Sequence, residues 1–301
     1  MRLDKINLAL TVVMSVSAPL FATPMASASV PDTVSVAADT DCTEDQTAAN
    51  KAAVTFYIDQ IFNEHDTSVI DTYIAEDLIQ HTPSLADGRA PLKTALSQQL
   101  SVNPNLSTNV YRVVARGDLV MVHRSLPSGF AVTDIFRVSG GKFVEHWDTI
   151  QLVPSTTVSG NDMFSTLSGP EAPGSSKLTN VNERLVTDYF TRLNNDHDLR
   201  AVDRYVSSSL YQHDPALANG SAAVKAAYSA RFKANPDEIV SESMVIAEGE
   251  LVSVRYHYQS SAADRGQAII EIFRVQRDRI VEHWNIVQSV PATSANSNTM
   301  F

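Results

Sequence analysis

The chain is short of several things, and each shortage excludes a class of protein. Cysteine occurs once in 301 residues, as Cys42, so no intramolecular disulfide can form and the fold must rest on buried apolar surface. Cys42 lies in a polar segment well downstream of the long apolar run, where a lipid-bearing cysteine would not be; intermolecular pairing is the alternative to an incidental thiol. Positive charge is scarce, with 23 Lys and Arg against 34 Asp and Glu and a formal charge of −11. With no basic cluster, nucleic acid is not an expected partner. Beyond the N-terminus no apolar stretch is long enough to span a bilayer. A glycine-rich phosphate loop, a Gly-x-Ser-x-Gly elbow and close-spaced metal ligands are all missing, so no metal site is expected.

What is present begins with an address. Arg2 and Lys5 precede an apolar run over 6–21, and Ala26-Ser27-Ala28 supplies small residues for cleavage, so 1–28 reads as a secretory signal peptide cut after Ala28. Cleavage removes Arg2, Asp4 and Lys5, a net +1, and moves the charge from −11 to −12. The mature protein is expected to be periplasmic or secreted, with residues 29–46 as a disordered lead-in.

Both tryptophans, Trp147 and Trp284, sit in one repeated phrase, Phe-Arg-Val, a turn, then Val-Glu-His-Trp. Gln80-His81-Thr82-Pro83 recurs as Gln212-His213-Asp214-Pro215, and Val153-Pro154 as Val290-Pro291. The offset is 132 early and 137 late, which places five extra residues of copy two between Tyr256 and Glu271. Over a hundred residues per copy is enough for each to bury its own core. The expected domains are 47–154 and 179–291, joined by a Ser-, Thr-, Gly- and Pro-rich linker at 155–178 and followed by a polar, frayed tail at 292–301.

Each copy opens with helix and closes with sheet. Helical stripes cover 47–63 and 182–193, Asp66 and Asp198 read as N-caps of short second helices that reach Ile74 and Val206, and third helices run over 91–102 and 222–233. In copy one, four strands in meander order follow at 110–115, 119–126, 130–138 and 143–152, with glycine turns between the first two and the last two. The class is α+β.

These residues resemble the SnoaL-like branch of the NTF2-like superfamily, through Gln-His-x-Pro after the second helix, Asp-Ile-Phe-Arg-Val on the penultimate strand and Glu-His-Trp-Asp on the last. The resemblance implies two tandem cone domains, each of three helices and a curved antiparallel sheet. It also implies aldol-type cyclisation or isomerisation with no metal or organic cofactor, on a fold that equally hosts pure binding modules.

Such chemistry needs a base beside a carbonyl and a donor for the enolate oxygen. The candidates in copy one are His81, His123, Asp134, Glu145, His146 and Asp148. Strand parity, with the aromatics Phe136 and Trp147 taken as pocket markers, puts Asp134 and Glu145 inside and His146 and Asp148 on the opposite face. His123 aligns with Arg255 and His257 with Ser125, so each copy offers an imidazole on the same surface at a different depth. The expected catalytic sets are therefore His81, His123, Asp134 and Glu145, and His213, His257, Glu271 and Glu282. Phe136, Trp147, Phe273 and Trp284 are the expected substrate contacts. The competing readings are that Glu145 and Glu282 pair with Arg137 and Arg274 across the hairpin, and that the tryptophans belong to a core or dimer face. The two domains are expected to pair through their sheets, within one chain or as a homodimer. Three functions stay open: an exported acid/base enzyme acting on a small apolar carbonyl compound, a module that binds a small hydrophobic molecule without chemistry, and a structural or interaction domain pair whose cones are filled by their own side chains.

Overall fold

A computed structural model of the chain describes residues 37–38, 42–169 and 174–301; the expected signal peptide lies outside them. Copy one begins with α1 (Glu44–Phe62), whose first turn is capped by the Thr43 side chain accepting from Gln46 N and carries Glu44 and Asp45 at the positive end of the helix dipole. Val54, Tyr57, Ile58, Ile61 and Phe62 form its buried stripe. Then come α2 (Val69–Tyr73), β1 (Ile74–Gln80) and α3 (Arg89–Val102), followed by β2 (Asn109–Arg116), β3 (Leu119–Leu126), β4 (Phe130–Ser139) and β5 (Lys142–Leu152). Copy two repeats this as α4 (Ser176–Phe190), extended by a π-helical turn at Thr191–Asn195, α5 (Arg200–Tyr205), β6 (Val206–Gln212) and α6 (Ser221–Ala234). Its remaining strands are β7 (Ile239–Glu248), β8 (Leu251–Gln259), β9 (Gln267–Gln276) and β10 (Arg279–Ser289). The five extra residues of copy two fall at the β8–β9 turn.

Each sheet has five strands rather than four, in the orders β1-β5-β4-β3-β2 and β6-β10-β9-β8-β7. The added strands, β1 and β6, run parallel to β5 and β10, so the sheets are mixed. The sequence hid β1 because its hydropathy does not follow its burial: polar Gln80 is buried and apolar Ile79 exposed, and Glu76, in step with buried Ile74 and Leu78, is exposed. Asp66 accepts from Ser68 N, one residue ahead of α2, whereas Asp198 accepts from Arg200 N, the first amide of α5.

Alternate strand residues feed two different cores. Val120, Val122, Phe136 and Phe143 meet the helices of copy one, and Val252, Val254, Phe273 and Val275 those of copy two. The opposite faces carry Leu119, Met121, Ile135 and Trp147 from one sheet and Leu251, Ile270, Ile272 and Trp284 from the other, in one shared cluster. The two sheets therefore pack against each other through the faces turned away from their helices. At about 1.5–3 kcal/mol per fully buried large side chain, this shared core is a major stabilising term.

Residues 155–169 of the expected linker and the expected frayed tail are ordered straps, and they are exchanged. Val158 N donates to Pro215 O at 2.9 Å, and Ala295 N to Pro83 O at 2.7 Å. Asn161 Nδ2 donates to Gln212 O, and Asn298 Nδ2 to Gln80 O, each at 3.0 Å. Met163 and Met300 are buried. The chain after copy one thus clasps copy two, and the chain after copy two clasps copy one. Asn161-Asp162-Met163-Phe164 matches Asn298-Thr299-Met300-Phe301 at the same 137 offset, so the repeat runs past the two Val-Pro pairs into both straps.

Candidate functional site

Between the helices and sheet of copy one lies a cavity of about 320 Å³, walled by Tyr57, Ile58, Phe62, Leu92 and Leu96 on the helix side and by Arg124, Asp134, Phe136, His146 and Asp148 on the sheet side. Strand register puts these groups together. Asp134 stands opposite Asp148, and Phe136 opposite His146, on neighbouring antiparallel strands. Directly opposed residues share a face. The parity reading was therefore wrong for β5: His146 and Asp148 face the cavity, while Glu145 and Trp147 face the partner sheet beside Arg137 and Ile135. Trp147 is an interface aromatic and so a poor marker of the pocket.

The cavity charges are arranged unevenly. Arg124 Nε donates to Asp134 Oδ2 at 2.6 Å and Nη2 to Oδ1 at 3.3 Å. His146 Nε2 lies 3.3 Å from Asp134 Oδ1, and Nδ1 lies 3.0 Å from Gln80 Oε1, whose orientation is fixed by accepting from Thr82 N. Phe136 stacks on the imidazole at 4.5 Å, and the Arg124 guanidinium lies over the Phe62 ring at 4.2 Å. Burial would raise the Asp134 carboxyl, but Arg124 and the hydrogen bond from His146 bring it down to about 2. Asp148 goes the other way: burial raises it, and neighbouring Asp134 adds to the rise against the pull of His146. Arg124 Nη1 has no hydrogen-bond partner, and Asp148 Oδ1 and Thr82 Oγ1, both at the cavity wall, have none beyond each other. Buried polar groups are nearly always satisfied, so an unpaired guanidinium donor and a carboxyl oxygen with only the Thr82 hydroxyl beside it, around one cavity, call for a ligand.

The remaining expected site residues are not in this cavity. His81 donates through Nδ1 to Thr299 O at 2.6 Å, meets Glu145 Oε1 through Nε2 at 2.8 Å, and stacks on Trp147 at 4.6 Å. Arg137 donates to Glu145 and Asp118, which is the cross-strand pairing. His213 repeats the arrangement with Asp162 O, Glu282 and Trp284. These His–Glu pairs are strap clasps on the interdomain faces. His123 is buried on the same outer face with Nδ1 3.1 Å from an Arg112 nitrogen, and burial followed by Arg112 lowers its pKa well below the usual imidazole range. His257 lies 2.8 Å from Arg265 O and stacks under Phe301. Each imidazole thus packs beside the phenylalanine that ends its own copy's strap, Phe164 or Phe301, and neither reaches a cavity.

The cone of copy two is filled. Its void is about 10 Å³, room for roughly one water. At the position of Arg124 stands Tyr256 and at that of Leu96 stands Tyr228; their hydroxyls donate to Glu271 Oε1 at 2.9 and 3.4 Å. Asn285 replaces Asp148 and donates to Asp214. Phe273 is packed beneath His283 at 4.9 Å and has no open space to offer a ligand. Burial pushes Glu271 up to about 7, against the hydrogen bond from Tyr256 and the charge of Arg231. Its proton is held more tightly folded than unfolded, so the stability it contributes is complete below pH about 4.5 and is lost as pH rises through about 7. His283, lowered to about 3 by burial, has the opposite slope. Urea titrations from pH 5 to 8 are expected to show Glu271→Gln gaining on wild type as pH rises, by on the order of 3 kcal/mol across the range.

Arg124 was missed from sequence because an arginine inside an apolar strand reads as an exposed cross-strand partner; the signal available was its replacement by tyrosine in a copy that otherwise matches. Among the described residues, no three His, Cys, Asp or Glu side chains gather as a metal site, and no helix is long and apolar enough to cross a membrane.

Among solved structures, TsrD from Streptomyces laurentii is 19% identical, with 35% of this chain and 89% of that one covered at a TM-score of 0.31. A polyketide cyclase homologue from Bacillus cereus is 19% identical over 40% of this chain and 85% of its own, at a TM-score of 0.34. An NTF2-like protein of unknown function from Mesorhizobium loti is 16% identical over 36% and 96%, at a TM-score of 0.33. No curated protein matches. The family model of the SnoaL-like polyketide cyclases matches twice, over residues 51–157 and 184–295, one match to each copy and together more than half of the chain. With the mixed helix-and-sheet cone built twice around these matches, the chain belongs to the SnoaL-like polyketide cyclase family.

Proposed function

We propose that copy one is a cofactor-independent acid/base enzyme that enolises a small apolar carbonyl compound, of cyclase or isomerase type, and that copy two is its non-catalytic scaffold. The observation that carries this is the placement in one apolar cavity of Arg124 Nη1, which has no partner, and Asp148 Oδ1, which has none but the Thr82 hydroxyl. Asp148, with its affinity for protons raised, takes the proton from the carbon beside the carbonyl; the C–H electron pair becomes the enolate, whose oxygen meets the Arg124 N–H. Where a second carbonyl of the same molecule is in reach, the enolate carbon bonds to it and the new alkoxide recovers the proton from Asp148. Asp134 and His146 position Arg124 and polarise the site. The family association with cyclisation supports the same reaction class. The N-terminal sequence supports export as part of this proposal.

The test is NMR-detected deuterium exchange in 2,4-pentanedione and small β-keto esters, comparing wild type with Leu96→Tyr, which places in copy one a side chain that fills copy two. Exchange faster than buffer that is lost in Leu96→Tyr supports enolisation in this cavity. Saturable binding without exchange would replace the enzyme with a binding module, a reading favoured by the Arg124–Asp134 pair, which occupies both groups with each other.

A further inference from the structure

The wall of the copy-one cavity is partly built by the loop after β1, through Thr82, Ser84 and Leu85. That loop is held from outside by the C-terminal strap. Asn296 Nδ2 donates to Thr82 O at 2.9 Å and to Leu85 O at 2.8 Å. Asn298 Nδ2 donates to Gln80 O at 3.0 Å and to Asp87 Oδ1 at 2.7 Å. Asp87 in turn accepts from Gln80 N at 2.8 Å, and the Gln80 side chain contacts both Thr82 N and His146. A chain of short contacts therefore runs from the last residues of the protein to the imidazole in the cavity.

Comparison of the two straps separates structural need from function. The residue matching Asn298 is Asn161, and it makes the equivalent pair of bonds, to Gln212 O and to Asn219 Oδ1 at 2.9 Å. That much holds the strap in both copies. The residue matching Asn296 is Ser159, whose hydroxyl accepts from Asn161 N at 3.1 Å, as Asn296 Oδ1 accepts from Asn298 N at 3.0 Å. Ser159 is too short to carry the second function, the two donations into the loop. Those bonds occur in the copy with a cavity and lack a counterpart in the copy whose cone is filled.

We propose that Asn296 is a positioning residue for the copy-one site, through which the C-terminal strap of the scaffold copy, anchored by Asn298 as the other strap is by Asn161, sets the shape of the loop that walls the cavity. The proposal rests on the enzymatic reading above for its kinetic consequence only. It also accounts for copy two, since a domain with no room for substrate carries the segment that completes its neighbour's site.

The experiment uses the full mature chain and three variants. Asn296→Ser copies the other strap and leaves in place the Ser294 hydroxyl contact and the backbone contacts of residues 295 and 299. Asn298→Asp sets a carboxylate against Asp87 and Gln80 O. Adding Asp87→Asn to it restores a donor–acceptor pair of the kind that Asn161 and Asn219 form. Amide hydrogen exchange over residues 82–88, melting temperature, and KM and kcat for deuterium exchange into 2,4-pentanedione are read for each. Asn296→Ser is expected to speed amide exchange in this loop about tenfold, the equivalent of one net hydrogen bond, and to raise KM several-fold more than it lowers kcat, with little change in melting temperature. Asn298→Asp is expected to speed the same exchange and also to lower the melting temperature, and the double variant, in which Gln80 O still lacks its donor, to recover part of both. Unchanged loop exchange in Asn296→Ser, or faster exchange with unchanged KM, overturns the proposal. Inactivity of wild type on the probe sinks the enzymatic reading instead, and the loop exchange then still decides whether the strap shapes the cavity.

Discussion

Asp148→Asn is expected to slow carbon deprotonation by about 10²- to 10⁴-fold while making the protein more stable at neutral pH. Asp148 is buried, its Oδ1 has no partner but the Thr82 hydroxyl, and burial raises its pKa, with Asp134 adding to the rise against the pull of His146 and Thr82. A raised carboxyl pKa means that the folded state binds the proton more tightly than the unfolded chain. The stability contributed by that proton is therefore present at low pH and is lost as pH rises through the raised value, so at neutral pH the ionised group is a net cost. Asparagine removes the ionisation and keeps the shape; the same position in copy two is already Asn285. Lower rate and higher melting temperature together mark a group kept for chemistry at the expense of stability. A variant that loses both rate and stability would instead make Asp148 a structural carboxylate. The pH–rate profile offers a second check: with Asp148 as base, the acidic limb should lie above the usual aspartate range.

The tandem copies and the α+β class were legible in the sequence because they rest on long, redundant signals: a repeated phrase at constant offset and a helix period giving way to strand alternation. Arrangement within the site was not. Parity along one strand orders residues relative to each other but not relative to the next strand; that requires register, and the direct opposition of Asp134 and Asp148 is a property of the β4–β5 pairing. Using Trp147 as a pocket marker reversed β5, since a second buried surface, the face shared between the sheets, attracts large aromatics as strongly as a cavity does. The histidines misled for a related reason. His81 and His213 recur at equivalent places because both copies must hold a strap, and repetition between copies reports shared architecture, whereas the chemistry lies where the copies differ, at Arg124 and Tyr256 and at Asp148 and Asn285. The straps themselves were readable, since Asn-x-Met-Phe occurs after both copies, but polar composition near a terminus is easily mistaken for fraying.

The largest stability effect is expected at Trp284, and its size relative to Trp147 tests the interdomain core. Both indoles are fully buried in the shared cluster, and Trp→Ala in such a site costs about 3–5 kcal/mol. Their surroundings differ. A histidine stacks on each, but Trp284 Nε1 donates to Ser165 O at 3.0 Å and the Arg112 guanidinium lies 3.6 Å from its ring centroid. Trp147 Nε1 has no partner, and Arg137 stands 6.0 Å from its ring. Trp284→Ala should therefore cost about 1–2 kcal/mol more than Trp147→Ala, from the lost hydrogen bond and the desolvated cation–π contact. Phenylalanine sharpens the comparison: Trp147→Phe discards an unsatisfied donor along with some area, whereas Trp284→Phe takes a donor away from Ser165 O. Chemical denaturation of the four variants gives the order directly. Because Trp284 contacts the sheet, the strap of copy one and the opposite domain at once, its loss should lower one cooperative transition for the whole chain. Separate transitions for the two copies, with copy one unaffected by Trp284→Ala, would mean that the sheets touch without sharing stability and that the copies fold independently.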